Sequence, residues 1–506
     1  MEKRSWDKNL ILVFQILFII FCLICSVLSI SSFTIGFDIL FPGHDSAFYD
    51  LIFDNKLKSL AIFGVWLVIG FLIYQFVKDR YLRSSRPILS SVILLALLTF
   101  ITRAFIIFTL GNAVSPVSDF ANSWLMTKGE TFYLSHYRFF PAYINYAVFM
   151  RLIARFFNYQ YISILWSDVL ISSLTTVGIY FLAKEIYDND FVSITAGLIY
   201  AMYPPAILYT AINTPEHLCV LAMVWGLYFF VLALKHSNPA LNIIFALSFG
   251  ILAGISNSMK SFYPIVLVAV IITLFFYLVA CKWKQKRIVI TILILVAIIG
   301  AEILTMKGIS TVSGKLFDME INYSDAFPHF VMVGLNRQGE GQIDLGEISR
   351  TYNDLIESGI DSDTAKSAAF GVMKQDWKGH LNEVPSFVVK KLIWGFQDDC
   401  SPSRLLNASI KTDRLKSIGN KIWTPLSDYS KEVSQLFYCL LCAAALLSAI
   451  LKIKSKNPNL KEFFLELVVF GYFCLILLSE AQSRYKCLVI PYIIILVASL
   501  NKKRLD

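Results

Sequence analysis

Charge is what this 506-residue sequence has least of. Asp, Glu, Lys and Arg make up 16% of it, whereas about a quarter of an ordinary soluble domain is charged. The chain is 57% hydrophobic, and several of its apolar runs exceed the ~18–20 residues that cross a bilayer. That excludes a soluble globular enzyme and implies an all-α polytopic membrane protein. A cleavage site is lacking too. The first apolar run, residues 10–30, is too long for a signal-peptide core and no small-residue site follows it, so it reads as a first span. Nor is there a disulfide pattern. Most of the nine cysteines lie inside apolar runs, with the pairs Cys22/Cys25 and Cys439/Cys442 among them, and Cys400 alone falls in a long polar loop. C-x-x-C spacing within a span reads as helix packing rather than as a metal site.

What is present begins with the spans. Apolar runs predict twelve, near 10–30, 59–77, 88–110, 160–183, 191–209, 215–234, 240–258, 263–281, 288–306, 432–451, 462–479 and 486–500. The basic loops KDRYLRSSR (78–86), CKWKQKR (281–287), KIKSKNPNLK (452–461) and the tail NKKR (501–504) then fall on one side with the N-terminus. By the positive-inside rule that side is cytoplasmic. This accounts for the net charge of +9 without a nucleic-acid partner. KEIYDND (184–190) is the one inner loop that is not basic.

Two longer segments are expected outside, 111–159 and 307–431. The first contains PAYINYAVFMRLIARFF (141–157), apolar but with Arg151 and Arg155 four residues apart. It reads as an amphipathic helix in the membrane interface. A second interfacial helix is expected at SFVVKKLIWGF (386–396), its lysines snorkelling and Trp394 and Phe396 at headgroup level. The chain thus divides into two leading spans (1–87), a membrane core (88–306), a large extracytoplasmic loop (307–431) and C-terminal spans (432–506).

Polar residues at span ends gather on the outer side. They are Asp119 in SPVSDFANSW (115–124), His136 and Arg138 in YLSHYRFFP, Glu216 and His217 in NTPEH, and Lys260 in SNSMKSFYP. To these add the block HFVMVGLNRQGEGQ (329–342), and Glu480 and Arg484 in SEAQSRYKCLVIP. Charges near membrane depth are costly and mark function, although helix ends are also where charges ordinarily go. Carboxylates there can bind metal, move protons or act as general base on a hydroxyl. Arg and Lys beside them imply an anionic ligand, for which a lipid phosphate fits. If that phosphate carries a sugar, a carboxylate takes the acceptor proton and cations neutralise the leaving phosphate.

At these residues the chain resembles the glycosyltransferase C superfamily, in its protein O-mannosyltransferase and aminoarabinose-transferase branch. The resemblance spans roughly 90–500. It rests on an acidic residue in the first outer loop (Asp119), an amphipathic helix after it, and a second acidic residue, Glu216, after MYPPAILYTAINTP (202–215). A lysine in GISNSMKSFYP (254–264) and an R-Y before a proline-bearing span in QSRYKCLVIP complete it. VGLNRQGEGQ resembles an M-G-L-N…G segment of bacterial members, with Val333 in place of methionine. The resemblance implies a hexosyl-type transferase using a polyprenyl-phosphate sugar donor and a cell-envelope acceptor, with inversion. Asp119 would be general base and Glu216 would orient the acceptor or Asp119. Lys260, Arg138 and Arg484 would hold the donor phosphate. His136, His329, Asn336, Arg337 and Glu480 would touch sugar or acceptor. Relatives often carry a second acidic residue beside the first-loop aspartate. Here Phe120 stands there, so no cofactor or metal is assigned and divalent-metal use stays open.

Asp398 and Asp399 in WGFQDD read as solvated turn residues, with the same cavity as the alternative. A flippase of lipid-linked sugars, a polysaccharide polymerase or ligase, and a non-catalytic assembly protein remain rivals. Paired repeats and mid-span ionisable residues, expected of a transporter, are not evident. A Lys-, Ile- and Asn-rich composition without a retention signal points to a bacterial plasma membrane, with both termini cytoplasmic and the site extracytoplasmic. Sugar, acceptor and oligomeric state are not legible.

Overall fold

The structure is a computed structural model. It describes residues 5–35, 55–130, 140–321, 323, 326–341, 347–455 and 459–502. Among these residues there is no β-strand, and nine helices are long and apolar enough to cross a membrane. The first half comprises α1 (Ser5–Ile35), α2 (Lys56–Arg83), α3 (Pro87–Leu110), α4 (Asp119–Lys128), α5 (Pro141–Phe156), α6 (Tyr161–Tyr187), α7 (Asp190–Met202), α8 (Pro204–Tyr209), α9 (Pro215–Lys235), α10 (Pro239–Met259), α11 (Tyr263–Ala280) and α12 (Gln285–Phe317). The second half comprises α13 (Ala326–Gly334), α14 (Glu347–Glu357), α15 (Ser362–Lys378), α16 (Val384–Phe396), α17 (Ser401–Ser409), α18 (Ser417–Ser455), α19 (Leu460–Leu478) and α20 (Ile490–Ala498).

Three expected spans differ from simple membrane helices. Residues 191–209 are not one helix. Pro204, at the first turn of α8, cannot continue the ladder of α7, and Tyr203 is extended between them. Residues 462–479 form α19, which carries Lys461, Glu462 and Glu466 near its start. Residues 486–500 open as a 3-10 turn, Ser483–Leu488, before α20.

The break after α7 leaves backbone carbonyls without helical partners, which is costly away from water. Arg103, fully buried on α3, resolves it. Its guanidinium donates to the carbonyls of Tyr200 (3.0 Å) and Ala201 (2.6 Å), and to Ser172 Oγ (2.8 Å). A cation at a helix C-terminus also suits the helix dipole. Elsewhere the sequence allows close backbone contact. Gly250 and Gly254 on α10 form a G-x-x-x-G stripe facing α12. A Cβ on Gly250 would lie 2.5 Å from the Ile298 carbonyl oxygen, and one on Gly254 would lie 2.8 Å from that of Glu302. Small residues spaced four apart let membrane helices approach in this way.

The leading helices pack on the C-terminal part of the chain, α1 on α18 and α19, and α2 on α3, α7 and α18. Leu57, Val65, Val68, Phe71 and Phe76 of α2 are exposed, as on a lipid-facing helix. The amphipathic helix expected at 141–157 is α5. It buries Tyr143, Tyr146 and Met150 and exposes Leu152 and Phe156. Within α16, in contrast, Lys391 does not snorkel, and Trp394 and Phe396 are buried in protein. The nine cysteines are free.

Replacing Arg103 with Met should lower the midpoint of thermal unfolding in detergent. The loss should reflect ~1–3 kcal/mol for each charge-assisted hydrogen bond removed from the two carbonyls, with Arg103→Lys recovering part of it. An unchanged midpoint in the Met variant would mean that those carbonyls are satisfied in another way.

Candidate active site

Asp119 opens α4, and the backbone before it is held from a distance. Val114 forms an isolated antiparallel bridge with Ile410. Ser115 N donates to the Ser409 carbonyl (2.9 Å) and Lys411 N to that of Ala113 (2.8 Å). Ser118 then turns the chain at φ +53°, a region that non-glycine residues rarely occupy. Such an outlier persists where surrounding contacts over-determine it. The helix start favours a carboxylate, and Asp119 keeps 44% of its side chain exposed. The next residue, Phe120, is fully buried. Its carbonyl accepts from Asn213 Nδ2 (3.2 Å), while Asn213 Oδ1 accepts from the Tyr161 hydroxyl (2.6 Å). Asn213 therefore couples the Asp119 turn to the segment that leads into α9.

Four segments far apart in sequence converge here. Asp119 Oδ2 lies 3.8 Å from Arg484 Nη2 and accepts from the Tyr143 hydroxyl at 3.2 Å. Glu216, in the first turn of α9, is buried. One carboxylate oxygen stands 3.6 Å from Lys260 Nζ and the other accepts from the Thr214 hydroxyl. Thr214 also caps α9, accepting from Glu216 N. Lys260, at the end of α10, sits 3.9 Å from the centre of the Tyr485 ring. The Arg484 guanidinium lies 5.3 Å from that ring and 5.5 Å from that of Phe120. The Tyr485 hydroxyl donates to Glu480 at 2.7 Å. Two carboxylates, two cations and an aromatic platform form one constellation.

It borders an open cleft of about 1020 Å³. Asp119, Lys260, Glu480 and Arg484 supply the polar wall, and Met259, Phe262, Phe330, Leu475, Ile476 and Leu488 much of the apolar one. Glu216 and Arg484 also border a second cavity of about 470 Å³. Apolar walls with a few convergent polar groups are the usual form of a small-molecule site. Among the described residues, no group of three His, Cys, Asp or Glu side chains is placed to hold a metal ion.

The other sequence candidates separate. His136 and Arg138 lie outside the described residues. His329 is buried behind the cleft wall, its ring edge-on to Phe140 at 5.3 Å. Arg337 is taken up by ion pairs with Asp376 (3.0 Å) and Glu383 (2.9 Å). It does not line the cleft, and neither does Asn336, which is buried within the same turn. That turn, 334–341, is a brace. Gly334 abuts the backbone of Ser479, where a Cβ would come within 2.2 Å, and Ala481 N donates to the Gly341 carbonyl at 2.8 Å. Lys391 locks the junction, donating to the carbonyls of Gly334, Leu477 (2.9 Å) and Ser479 (2.7 Å). Three donors meeting three acceptors account for a buried ammonium where a snorkelling one was expected. The brace fixes the segment that carries Glu480 and Arg484.

Asp398 and Asp399 are not solvated turn residues; both are buried. Asp398 pairs with Arg404 at 3.3 Å and Asp399 accepts from the Tyr203 hydroxyl at 2.5 Å. Burial pushes the Asp399 carboxyl up to about 6, against the pull of Lys486 and Tyr203 toward its charged form. Nothing in the sequence singles out Tyr143, Asn213 or Lys391 as site residues, and it offers Asp399 for the cavity only as the alternative to a solvated turn. Tyr485 was in view only as half of the R-Y pair. For Asn213 the available signal was its place three residues before Glu216, and for Lys391 its place on the buried face of an amphipathic helix.

A cleft with apolar walls, a carboxylate and two cations is chemically suited to an anionic lipid. Residues 144–304, which include Glu216 and Lys260, match the family model described as dolichyl-phosphate-mannose-protein mannosyltransferase. The match covers about a third of the chain. Two solved structures of the oligosaccharyltransferase of the archaeon Archaeoglobus fulgidus are similar. One, AglB in complex with an inhibitory peptide and a dolichol-phosphate, has 13% identity and a TM-score of 0.42 over 82% of this chain and 50% of that one. The other is a crystal structure tethered by a disulfide bond to an acceptor peptide containing the NVT sequon. It has 14% identity and a TM-score of 0.43 over 82% of this chain and 49% of that one. The chain thus spans about half the length of these proteins. No curated protein matches it.

Lys391→Met should lower the thermal midpoint in detergent by the equivalent of ~2–4 kcal/mol, because three carbonyls lose their donor. A midpoint within error of wild type would show that the brace does not depend on this ammonium.

Proposed function

We propose that the chain transfers a sugar from a polyprenyl-phosphate-linked donor to a hydroxyl acceptor, with inversion at the anomeric carbon. The observation that carries this reading is the Asp119–Arg484 approach of 3.8 Å at the wall of an apolar cleft that also holds Lys260. The apolar wall suits the polyprenyl chain. Arg484 presents a planar fork and Lys260 a point charge, and the two suit a phosphate together.

In the reaction, Asp119 removes the proton of the acceptor hydroxyl as that oxygen bonds to the anomeric carbon. The bond from that carbon to the phosphate oxygen breaks, and polyprenyl phosphate leaves with the electron pair. The charge that develops on it falls to Arg484 and Lys260 and needs no general acid. Asp119 is suited to the base role because it is the more exposed of the two carboxylates, whereas Glu216 is buried against Lys260. Glu216 is then a positioning residue for Lys260 rather than for the acceptor. Glu480 acts through the Tyr485 hydroxyl. The charge asymmetry of the loops supports an extracytoplasmic site, and an acceptor reached from that side would belong to the cell envelope.

The test uses protein in nanodiscs, a panel of radiolabelled polyprenyl-phosphate sugars and a cell-envelope extract. Wild type should release label from one donor. Asp119→Asn should abolish release, a loss of ~10²–10⁴-fold or more for a missing general base, while remaining folded. Near wild-type turnover in that variant would remove Asp119 from the chemistry. Arg484→Ala should weaken use of the lipid-phosphate donor, and unchanged donor dependence would exclude it as a phosphate contact. If wild type consumes no donor, a scrambling assay with the same lipids tests the transporter alternative.

A further inference from the structure

We propose that the second cavity is the pocket for the transferred sugar, with Asp399 and His217 reading its hydroxyl groups. The inference rests on the glycosyltransferase reading above and adds to it where the sugar sits and which residues discriminate among sugars.

The cavity contains about 470 Å³ of empty space, part of it open to solvent. It is the smaller of the two spaces and is lined by tyrosines and carboxylates, whereas the larger, more apolar cleft suits a lipid chain. Arg484 lines both spaces. A phosphate held at Arg484 would therefore have its lipid substituent on the cleft side and its sugar substituent on the other.

The lining chemistry favours a hydroxyl-rich ligand. Asp399 is buried, and among the described residues no Lys, Arg or His nitrogen lies within 4.0 Å of its carboxylate. Its contact is the Tyr203 hydroxyl, on one of its two oxygens. His217 Nε2 faces two carbonyls, those of Tyr209 (3.0 Å) and Ile212 (3.2 Å). Both are acceptors, so Nε2 carries the proton and Nδ1 of the neutral ring is an acceptor. Tyr203 and Tyr209 add aromatic walls against which the apolar faces of a sugar ring can pack. An acceptor-rich pocket with buried carboxylates on two sides, Asp399 and Glu216, suits neutral hydroxyl donors and disfavours an acidic sugar. Neither Asp399 nor His217 is required by the Asp119 chemistry, and Asp399 lies 280 residues from Asp119 in sequence. It comes to the site because α16 and α17 bring the 397–400 turn against Tyr203, at the break after α7.

The experiment uses the full-length protein in nanodiscs with polyprenyl-phosphate donors whose sugars differ at one hydroxyl, by epimerisation or deoxygenation, and one uronic-acid donor. Sugar-free polyprenyl phosphate is the competitor. For wild type and for Asp399→Asn and Tyr203→Phe, kcat/KM is measured for each donor, with the inhibition constant of the competitor. Wild type should discriminate among the neutral epimers and reject the uronic acid. At least one of the two variants should change the epimer ratio by about tenfold or more, the scale of a lost hydrogen bond to a substrate hydroxyl, with the inhibition constant unchanged. If both variants fold and each lowers kcat/KM equally for every donor, or leaves the ratios as they are, the sugar pocket is overturned while the transferase reading stands. If the inhibition constant moves and the ratios do not, the cavity holds lipid phosphate, and the assignment is equally overturned. If wild type consumes none of the donors, the transferase reading fails and takes the pocket with it.

Discussion

A charge placed in a low-dielectric helical bundle persists only if something answers it, and much of this molecule is arranged around that requirement. At one end of the bundle Asp119 and Glu216 are answered by Arg484 and Lys260. Arg484 and Lys260 in turn stand over the aromatic face of Tyr485. The same rule recurs away from the site. Arg103 meets the carbonyls freed by a broken helix, and Lys391 meets three carbonyls at a loop junction. These cations bear no carboxylate. They serve as internal solvent for backbone that cannot pair with itself, and so they allow irregular chain to exist at membrane depth.

That allowance is what makes the site possible. Helices that ran unbroken would present smooth apolar walls. Because α7 stops at Met202, the chain can turn through Tyr203, Pro204 and Thr214 before α9 starts at Pro215, with Glu216 in its first turn. Because the 334–341 turn braces it, the chain from Ser479 to Gln482 can border the cleft without helical structure before the 3-10 turn at Ser483. The chemistry sits on irregular segments, and the precision comes from the supports under them.

Much of this was legible in the sequence, unevenly. The all-α membrane class followed from hydropathy, and Asp119, Glu216, Lys260 and Arg484 were marked by charge at span ends. Hydropathy sees length and polarity, so it read 191–209 as one span and could not weigh Pro204 against so apolar a run. Charge likewise marks residues without saying which partner takes them. Arg337 looks like a ligand cation in isolation, but Asp376 and Glu383, about 40 residues further on, claim it. Lys391 and Asp399 misled for the opposite reason: a charge in a loop or amphipathic helix is ordinarily solvated, and only tertiary packing buries it. Asn213 and Tyr143 belong to residue types too common to stand out without the geometry.

The bridge between Val114 and Ile410 has a consequence for how the molecule is built. The turn that carries Asp119 is pinned by backbone hydrogen bonds to residues nearly 300 positions later, and its cation partner comes later still, at position 484. Contacts of such long sequence separation form late and slowly. As the chain emerges from the ribosome and enters the bilayer span by span, the segment that carries Asp119 is made early but has nothing to dock on. The active end of the molecule assembles only after the last quarter of the chain has been threaded. A truncated or stalled product would therefore carry Asp119 without a working site.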